Sequence, residues 1–498
     1  MESLSYCLDQ LTDWALLNGL VMRPAAAKTS GMRQTNSSIA IVAPVTLHPT
    51  VCKSELFHRA IRIAEIYNEL YATIAMDEQW LGDLVQELSG IDDFVRNLWN
   101  IHSTIKSEGG YAHEACLGIW RSDYLDHSET ADENSGASLS LKQVEFNTIS
   151  SSFGCLAEKV NGLHRFLAST FAYPDDLRTS VLKEPVSRNI EQIARGLAVS
   201  YSTYRPLLTN LPLIALFIVQ EGERNSFDQR FLEDHLISLH GIPVFRLPLS
   251  GVLTQTHLDS SKTLTFSPSH NPTLNFEVST VYYRAGYDPS EYPDQSIWTA
   301  RLHLERSRAI KCPSVLGQIA GMKKVQQELA TPGSTHLERY LPSRTPDELA
   351  ELRSTFMDMY PMDGSSAAGA QGRALATDPD RAKSFVLKPQ REGGGHNIYR
   401  EKIPGFLEGV PQEHWHQYVL MRLIEPPAAR NTIIRDGEAV EGAVVNELGV
   451  FGVCLYDPKT KRVVENYCAG TLMRTKGVEA DEGGVAAGFA CIGNPLPL

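Results

Sequence analysis

FVLKPQREGGGHNIY, running from Phe385 to Tyr399, joins a short apolar strand to a lysine and a run of three glycines. Phe385 to Leu387 reads as a buried strand, Lys388 stands where it ends, and Pro389 breaks the ladder. Gly393, Gly394 and Gly395 carry no β-carbons, so their backbone can lie against a bulky anion and offer it N–H groups. This is a phosphate cradle of an uncommon kind. No Gly-Lys-Ser/Thr follows it, as in a P-loop, and it lacks the G-x-G-x-x-G spacing of a dinucleotide fold. Glu392 would repel phosphates unless a divalent cation lay between them, so Lys388, Glu392 and the glycines together point to a magnesium nucleotide. A Gly-rich surface turn is the competing reading for the glycines alone, and the flanking charges decide against it.

Residues 362 to 383, MDGSSAAGAQGRALATDPDRAK, are rich in Gly, Ala, Ser and Asp and read as a mobile connection leading into this loop. After the loop, YVLMRLIEP, AVVNELGVFGVCLYD and RVVENYCAGTLMRTK read as strands of a second sheet, and DEGGVAAG forms a second Gly/Ala loop. The apolar side chains of YVLMRLIE, residues 418 to 425, suit a hinge that sandwiches an adenine while its backbone reads the base edge. A plain core strand fits that pattern equally well.

Earlier in the chain, QVEFNTISSS places Glu145 and Asn147 two residues apart, on one face of a strand whose Val144 and Phe146 point to the other. Two oxygen donors on one rigid face make half a magnesium site, and Glu392 adds a third. Taken alone, the pair would be an exposed polar strand face. The run Ser150, Ser151 and Ser152, followed by Phe153 and Gly154, offers a hydroxyl and N–H surface for a polar substrate. Residues 115 to 150 as a whole read as a β-hairpin with its turn in DENSGAS, and residues 56 to 105 as helical scaffold with Ile63, Ile66, Leu70 and Ile74 on its inner face. From 210 to 315 the rhythm becomes strand PLIALFIVQ, helix DQRFLEDHLISLHG, strand IPVFRLPL and strand TVYYRAGY, a smaller α/β unit; helices QSIWTARLHLERSRAIK and QIAGMKKVQQELA follow. Arg121, Arg284 and Arg474 stand at strand ends or turns and as a set suit a substrate with carboxylates. Lys323 and Lys476 offer point charges to phosphates, although composition does not separate Lys323 from Lys324.

The chain has 498 residues, 42% hydrophobic and 21% charged, an ordinary balance for a soluble protein of two or three domains. A formal net charge of -13 argues against nucleic acid or an anionic membrane as the main partner. The N-terminal stretch reads as an amphipathic helix rather than a signal peptide, and the best apolar run, Leu211 to Val219, is strand-sized. Eight cysteines without a C-x-x-C pair fit reduced, buried thiols of a cytoplasmic protein. His414 and His416 lack a visible partner cluster for a metal.

RSDY, QVEFNTISSSFG, QEGERNSFDQR, YYRAGY, AGMKKVQQEL, FVLKPQREGGGHNIY, NELGVFGVCLYD and MRTKGVEADEGGVAAG occur in the order found in eukaryotic-type glutathione synthetases, so from about residue 115 onward the chain resembles these ATP-grasp ligases. The resemblance implies an α/β ATP-grasp fold with a helical N-terminal part (1–209), an inserted smaller substrate domain (210–315), a C-terminal ATP-grasp part (316–498), and a homodimer. It implies Glu145, Asn147 and Glu392 as magnesium ligands. ATP would meet Lys323, Lys388, the loop from Glu392 through Gly393, Gly394, Gly395 and His396 to Asn397, and Tyr399. The hinge Met421, Arg422, Leu423 and Ile424 would hold the base, with Glu447, Lys476 and Glu482 also on the nucleotide. γ-Glutamylcysteine would meet Arg121, Ser150 to Ser152, Glu223, Arg224, Asn225, Gln229 and Arg284; Arg474, Val485 and Ala486 would lie at the glycine end. The implied chemistry is an acyl phosphate captured by glycine, with Arg474, Arg121, Lys388 and Lys476 stabilising charge and the loops 393 to 395 and 483 to 488 shutting out water.

The pattern departs from the family at three places. Arg422-Leu423 stands where animal members have Glu-Lys, Glu482 where Asp is usual, and His396 where Asn is usual. A ligase using β-alanine or serine, and an ATP-binding regulator without catalysis, are the competing readings. A protein kinase is excluded by the lack of H-R-D and D-F-G segments.

Overall fold

The alternating pattern of residues 115 to 150 folds into an antiparallel hairpin in which Cys116–Ser128 pairs with Leu139–Asn147, Arg121 opposite Asn147 and Asp123 opposite Glu145. It lies in a computed structural model that describes residues 2–24, 38–128, 138–208, 210–390, 396–480, 484–485, 488 and 490–498. The alternation is interrupted once. Asp123 faces Glu145 while Tyr124 faces Gln143, so Val144 is an extra residue, a bulge. The bulge resets the pleat: Leu141 and Phe146, five positions apart, join the same apolar cluster, and Glu145 and Asn147 take the opposite face.

That cluster is roofed by the expected helical scaffold, Ser54–Arg62, Ala64–Ala75, Glu78–Leu88 and Asp93–Ser107. Asp77 and Asp92 cap the last two by accepting from Trp80 N–H and from Phe94 and Val95 N–H. Ile63, Ile66, Leu70 and Ile74 are buried, and Phe146 stacks on Tyr71 with ring centroids 3.8 Å apart.

The free edge of Cys116–Ser128 pairs with Glu438–Asp457, which pairs in turn with Arg462–Gly477. These long strands therefore belong to the hairpin's sheet, which corrects the expectation that they form a second sheet with YVLMRLIEP. Tyr418–Arg422 instead joins Met359–Pro361, Phe385–Pro389 and Ile398–Tyr399 in a separate four-stranded sheet. The residues Leu448 to Tyr456 are buried, so only a strand with neighbours on both edges satisfies their backbone.

Leu213–Val219, Val244–Pro248 and Phe276–Tyr283 form a parallel array beside helices Ser226–His240 and Gln295–Glu305. Ile310–Cys312 bridges this array to the hairpin through Lys311 opposite Cys116, making one sheet continuous across both. QIAGMKKVQQELA divides at Gly321 into Val315–Ile319 and Lys323–Ala330. A β-carbon on Gly321 would stand 2.2 Å from Thr148 Oγ1, so the break brings the second helix tight against the hairpin.

Residues 362 to 383 also differ from expectation. They hold the helices Ala367–Thr377 and Pro379–Ala382, capped by Ser366 and Asp378. Their small residues reflect packing: Gly369, Gly372 and Ala376 are buried, and a β-carbon on Gly372 would stand 2.5 Å from Pro361 O. A composition that resembles a linker is here the price of laying a helix directly on a strand.

Candidate active site

Four neighbouring strands bring six charged or amide side chains onto one face of the large sheet. Leu139–Asn147 supplies Glu145 and Asn147, Cys116–Ser128 supplies Arg121 and Asp123, Glu438–Asp457 supplies Glu447, and Arg462–Gly477 supplies Arg474. Asp123, which sequence reading passed over, is their centre and is fully buried. Its Oδ1 accepts from Arg121 Nε at 2.6 Å. Its Oδ2 accepts from Arg121 Nη2 at 2.8 Å, Arg474 Nη2 at 2.7 Å and Asn147 Nδ2 at 2.9 Å. Arg474 also pairs with Glu447 directly across the ladder. The R-x-D spacing of RSDY, which puts both side chains on one strand face, was the available signal for Asp123.

Two lysines close over the hairpin from other elements. Lys323, at the start of its helix, donates to Glu145 Oε2 at 2.8 Å, and Lys388 donates to the bulge carbonyl of Val144 at 3.1 Å. Lys324 faces away and pairs with Glu87 and Glu328, so the structure separates the two lysines that composition could not. Burial opposes ionisation of Glu145, but Lys323, Lys388 and Arg474 outweigh it and hold the carboxyl well below the usual range. Burial pushes Glu447 up, Arg474 pulls it down, and Asp123 and Glu145 push it further up. Burial acts against the Arg474 guanidinium, but Asp123 and Glu447 together hold its charge more firmly than usual. Lys476 shares the strand face of Arg474, two residues on.

The strand end carrying Lys388 packs beside an apolar wall. Met359, Val386, Val419 and Met421 form a buried cluster against which Tyr399, Leu423 and Ile424 pack. Arg422 is exposed, its N–H donating to Asp358 O at 2.9 Å, and Leu423 N–H donates to Ser384 O at 2.8 Å. Two hinge donors are thus committed inside the protein, and any base would be read by other backbone groups. Asn397 Nδ2 reaches the Tyr399 hydroxyl at 3.3 Å, and His396 is exposed. Glu392, Gly393, Gly394, Gly395, Glu482 and Ala486 lie outside the described residues. Val485 is buried in the main core.

The serine loop joins the arginine cluster at one end. Arg121 Nη1 donates to Ser152 O at 3.1 Å, and Arg284 Nη2 donates to Ser152 Oγ at 2.7 Å while its Nη1 reaches Ser151 O. The three hydroxyls donate to backbone: Ser150 to Tyr283 O, Ser151 to Asn147 O and Ser152 to Ser150 O. What the loop turns outward is therefore lone pairs and N–H groups rather than hydroxyl protons. Ser150 and Phe153 sit at φ of 53° and 71°, a left-handed conformation that needs anchoring. Asp228 supplies the anchor, accepting from Phe153, Cys155 and Leu156 N–H. It too was missed, although it lies inside the quoted QEGERNSFDQR. Nearby, Glu223 accepts from Asn225 N–H and Gln229 Nε2, Gln229 accepts from Arg246, and Arg224 Nε reaches Arg23 O at 3.4 Å.

The donor chemistry fits a hard divalent cation. Asn147 Nδ2 is held by Asp123 and by Arg121 O, which leaves a carbonyl oxygen beside the ionised Glu145 carboxylate. Among the described residues no group of three His, Cys, Asp or Glu side chains is arranged to hold a metal, so any such site needs the Asn147 amide or Glu392. The described cluster as a whole sets Arg121, Arg474, Lys323 and Lys388 against Asp123, Glu145 and Glu447, an excess of positive charge suited to an anionic substrate.

A family model described as "Eukaryotic glutathione synthase, ATP binding domain" matches residues 1–496. The chain is 37% identical over 492 residues to glutathione synthetase from Homo sapiens, covering 98% of this chain and 96% of that one. It is 36% identical over 496 residues to the glutathione synthetase large chain of Schizosaccharomyces pombe, covering 96% and 95%. Among solved structures, a glutathione synthetase like-effector from Globodera pallida in apoform matches with a TM-score of 0.73 at 19% identity, covering 99% of this chain and 96% of that chain, a likeness of fold.

Proposed function

The chain belongs to the eukaryotic glutathione synthase family, and from that premise we propose that it is an ATP-dependent ligase joining glycine to γ-glutamylcysteine. The observation that carries this reading is the single charged face formed by Arg121, Asp123, Glu145, Asn147 and Arg474, bordered on one side by the serine loop and on the other by Lys323 and Lys388. A dipeptide held by Arg121, Arg284 and the 150–152 backbone would present its free carboxylate toward the two lysines. That carboxylate attacks the γ-phosphorus of ATP, giving ADP and an acyl phosphate. The amine of glycine then attacks the acyl carbon, and the tetrahedral intermediate collapses to glutathione and phosphate. Arg474 and Arg121 stabilise the oxyanion of that intermediate; Lys388 and Lys476 take up the charge of the transferring phosphoryl group.

Glu145 and Asn147 would hold Mg²⁺ together with Glu392. When bound, the ion neutralises phosphate charge and orients the γ-phosphoryl group. The Tyr399, Leu423 and Ile424 wall would take the adenine, Glu447 and Glu482 would stand on the nucleotide, and Val485 and Ala486 would border the glycine. Glu223, Asn225 and Gln229 would hold the γ-glutamyl end.

A homodimer and a cytoplasmic setting complete the proposal. No described helix is long and apolar enough to cross a membrane, and all eight cysteines are free, six of them buried, which supports a reducing compartment. The test is mass spectrometry of the product formed from ATP, Mg²⁺, γ-glutamylcysteine and an equimolar mixture of glycine, β-alanine and serine. Glutathione as the dominant product is expected; a β-alanine or serine adduct would reassign the amine, and no ADP release with both substrates present would make the chain a non-catalytic nucleotide binder.

A further inference from the structure

The Asn147 amide is planar, with its NH₂ at one end and its oxygen at the other. Its NH₂ end meets Asp123 Oδ2 at 2.9 Å and Arg121 O at 3.3 Å. Both partners are pure acceptors, so exchanging the amide's nitrogen and oxygen would set oxygen against oxygen at two places inside a buried cluster. Asp123 therefore dictates which end of Asn147 faces away from it. The same carboxylate binds two arginines that approach from different strands. Arg121 reaches it twice, on its own strand, and Arg474 comes from two strands away. All of this requires room at the neighbouring strand: Gly449 stands opposite Asp123, where a β-carbon would lie 2.9 Å from Asp123 Oδ1.

We propose that Asp123 is a positioning residue for both halves of the site: it fixes Asn147 so that the amide oxygen is the atom presented to the divalent cation, and it sets the separation of Arg121 and Arg474 around the reacting carboxyl group. The first half rests on the metal reading proposed above. Asp123 touches neither substrate nor metal; it acts through three side chains that do. An asparagine that coordinates a cation has no charge to orient it, unlike the adjacent Glu145, so the orientation must come from a neighbour.

The test is Mn²⁺ binding, read by electron paramagnetic resonance in the presence of a non-hydrolysable ATP analogue, alongside steady-state kinetics and thermal melting. Asp123→Asn is expected to weaken Mn²⁺ binding by about tenfold or more, the usual effect of losing a partner that orients a metal ligand. The exchanged pair Asp123→Asn with Asn147→Asp keeps the local charge and gives residue 147 an oxygen at either end. It should restore Mn²⁺ affinity to within about threefold while kcat stays low, because Arg121 and Arg474 have lost their common carboxylate. A folded Asp123→Asn protein with unchanged Mn²⁺ affinity and unchanged kcat/KM for the dipeptide overturns the proposal. Should Asp123→Asn alone not fold, the exchanged pair carries the test, and a folded pair with weak Mn²⁺ binding overturns it. Asn147→Ala separates the two readings: if it leaves Mn²⁺ affinity intact, the metal assignment itself fails, whereas its loss beside a normal Asp123→Asn protein removes only Asp123.

Discussion

Lys323 donates from Nζ to Glu145 Oε2 across 2.8 Å, tying the start of the Lys323–Ala330 helix to the bulged strand of the hairpin. With Lys388 nearby on the Val144 carbonyl, the carboxylate sits between two cations that belong to different sheets or layers. On the proposed reading, a metal or phosphate would contest the position that the Lys323 ammonium occupies, and the charge-balanced pair would be the resting arrangement of the site.

Glu145→Gln should raise the Mg²⁺ concentration for half-maximal turnover by about tenfold or more, because a neutral oxygen replaces a charged donor. The difference in Mg²⁺ requirement between wild type and Glu145→Gln should not change between about pH 5.5 and 8, since the folded Glu145 carboxyl is held far below its unfolded value near 4.3 and stays ionised throughout. The terminal phosphate of ATP, which titrates at about pH 6, is common to both proteins and cancels. The sign for stability follows: a depressed carboxyl contributes fully above its unfolded pKa and loses that contribution only as pH falls toward the folded value. Metal titrations of both proteins at several pH values check the first point and acid unfolding the second, and a difference between the two proteins that shrinks steadily as pH falls across this range would contradict the assignment.

Arg474→Ala should cut kcat by about a hundredfold or more, because its guanidinium is the group proposed to stabilise the oxyanion, and should change nucleotide affinity less, because of its two partners only Glu447 is proposed to stand on the nucleotide. It also takes from the Glu447 carboxylate its guanidinium partner, while Asp123 keeps Arg121, so a stability loss of about 1–3 kcal/mol should accompany it. Arg474→Lys keeps the charge but not the planar guanidinium whose Nη2 bridges Asp123 and Glu447, and should recover stability more than turnover. Stopped-flow or steady-state rates with nucleotide binding measured on the same protein decide the matter; unchanged turnover in Arg474→Ala removes it from the mechanism.

The parts of this site that were legible in sequence are those carried by local periodicity. Glu145 and Asn147 fall on one face because a strand alternates, and the helices over Phe146 follow from apolar spacing. The bulge at Val144 was not legible, since an unpaired residue is defined by its partner strand, and strict alternation without it would put Leu141 and Phe146 on opposite sides. Sheet membership was lost for the same reason: Phe451 pairs with Arg121 across more than three hundred residues, and no local pattern records such a neighbour. Gly369 and Gly372 misled because the same residues that loosen a linker also let a helix approach a strand. Asp123 was overlooked because a charge that serves other charges looks like any polar strand residue.

Gly449→Ala should impair substrate use more than folding. The added β-carbon would stand 2.8 Å from Arg121 Cδ and 2.9 Å from Asp123 Oδ1, so the arginine must move to admit it. Such overpacking costs about 1–3 kcal/mol of stability, but the shift falls on the group expected to hold the dipeptide. KM for γ-glutamylcysteine should rise by about tenfold with KM for ATP little changed, in line with the sensitivity of rates to small misplacements. Equal effects on both Michaelis constants would show a general distortion of the sheet instead.

Lys311 offers a prediction about stability away from the site. It is fully buried where the parallel strands meet the hairpin, opposite Cys116, with Nζ donating to Ser307 O and lying 3.3 Å from His113 Nδ1. Burial pulls its ammonium down to about 8 from an ordinary 10.5, against the upward pull of Glu305 and Cys116. Below about pH 8 both the folded and the unfolded chain carry the proton, and the folded state bears the full cost of an under-solvated charge. As pH rises from about 8 to about 10.5 the folded lysine gives up its proton first, the unfolded chain binds more protons, and the cost is relieved. Lys311→Met keeps the length and removes the charge. Relative to this variant, wild-type stability should therefore improve by about 3 kcal/mol over that interval, from the shift of roughly 2.5 pH units at 1.36 kcal/mol each. Paired denaturant unfolding at matched pH cancels the titration of groups that do not couple to Lys311. A stability difference that stays constant from pH 7 to about 10 would mean that Lys311 keeps its proton in the fold, held by Glu305 and the Ser307 carbonyl more strongly than burial opposes it.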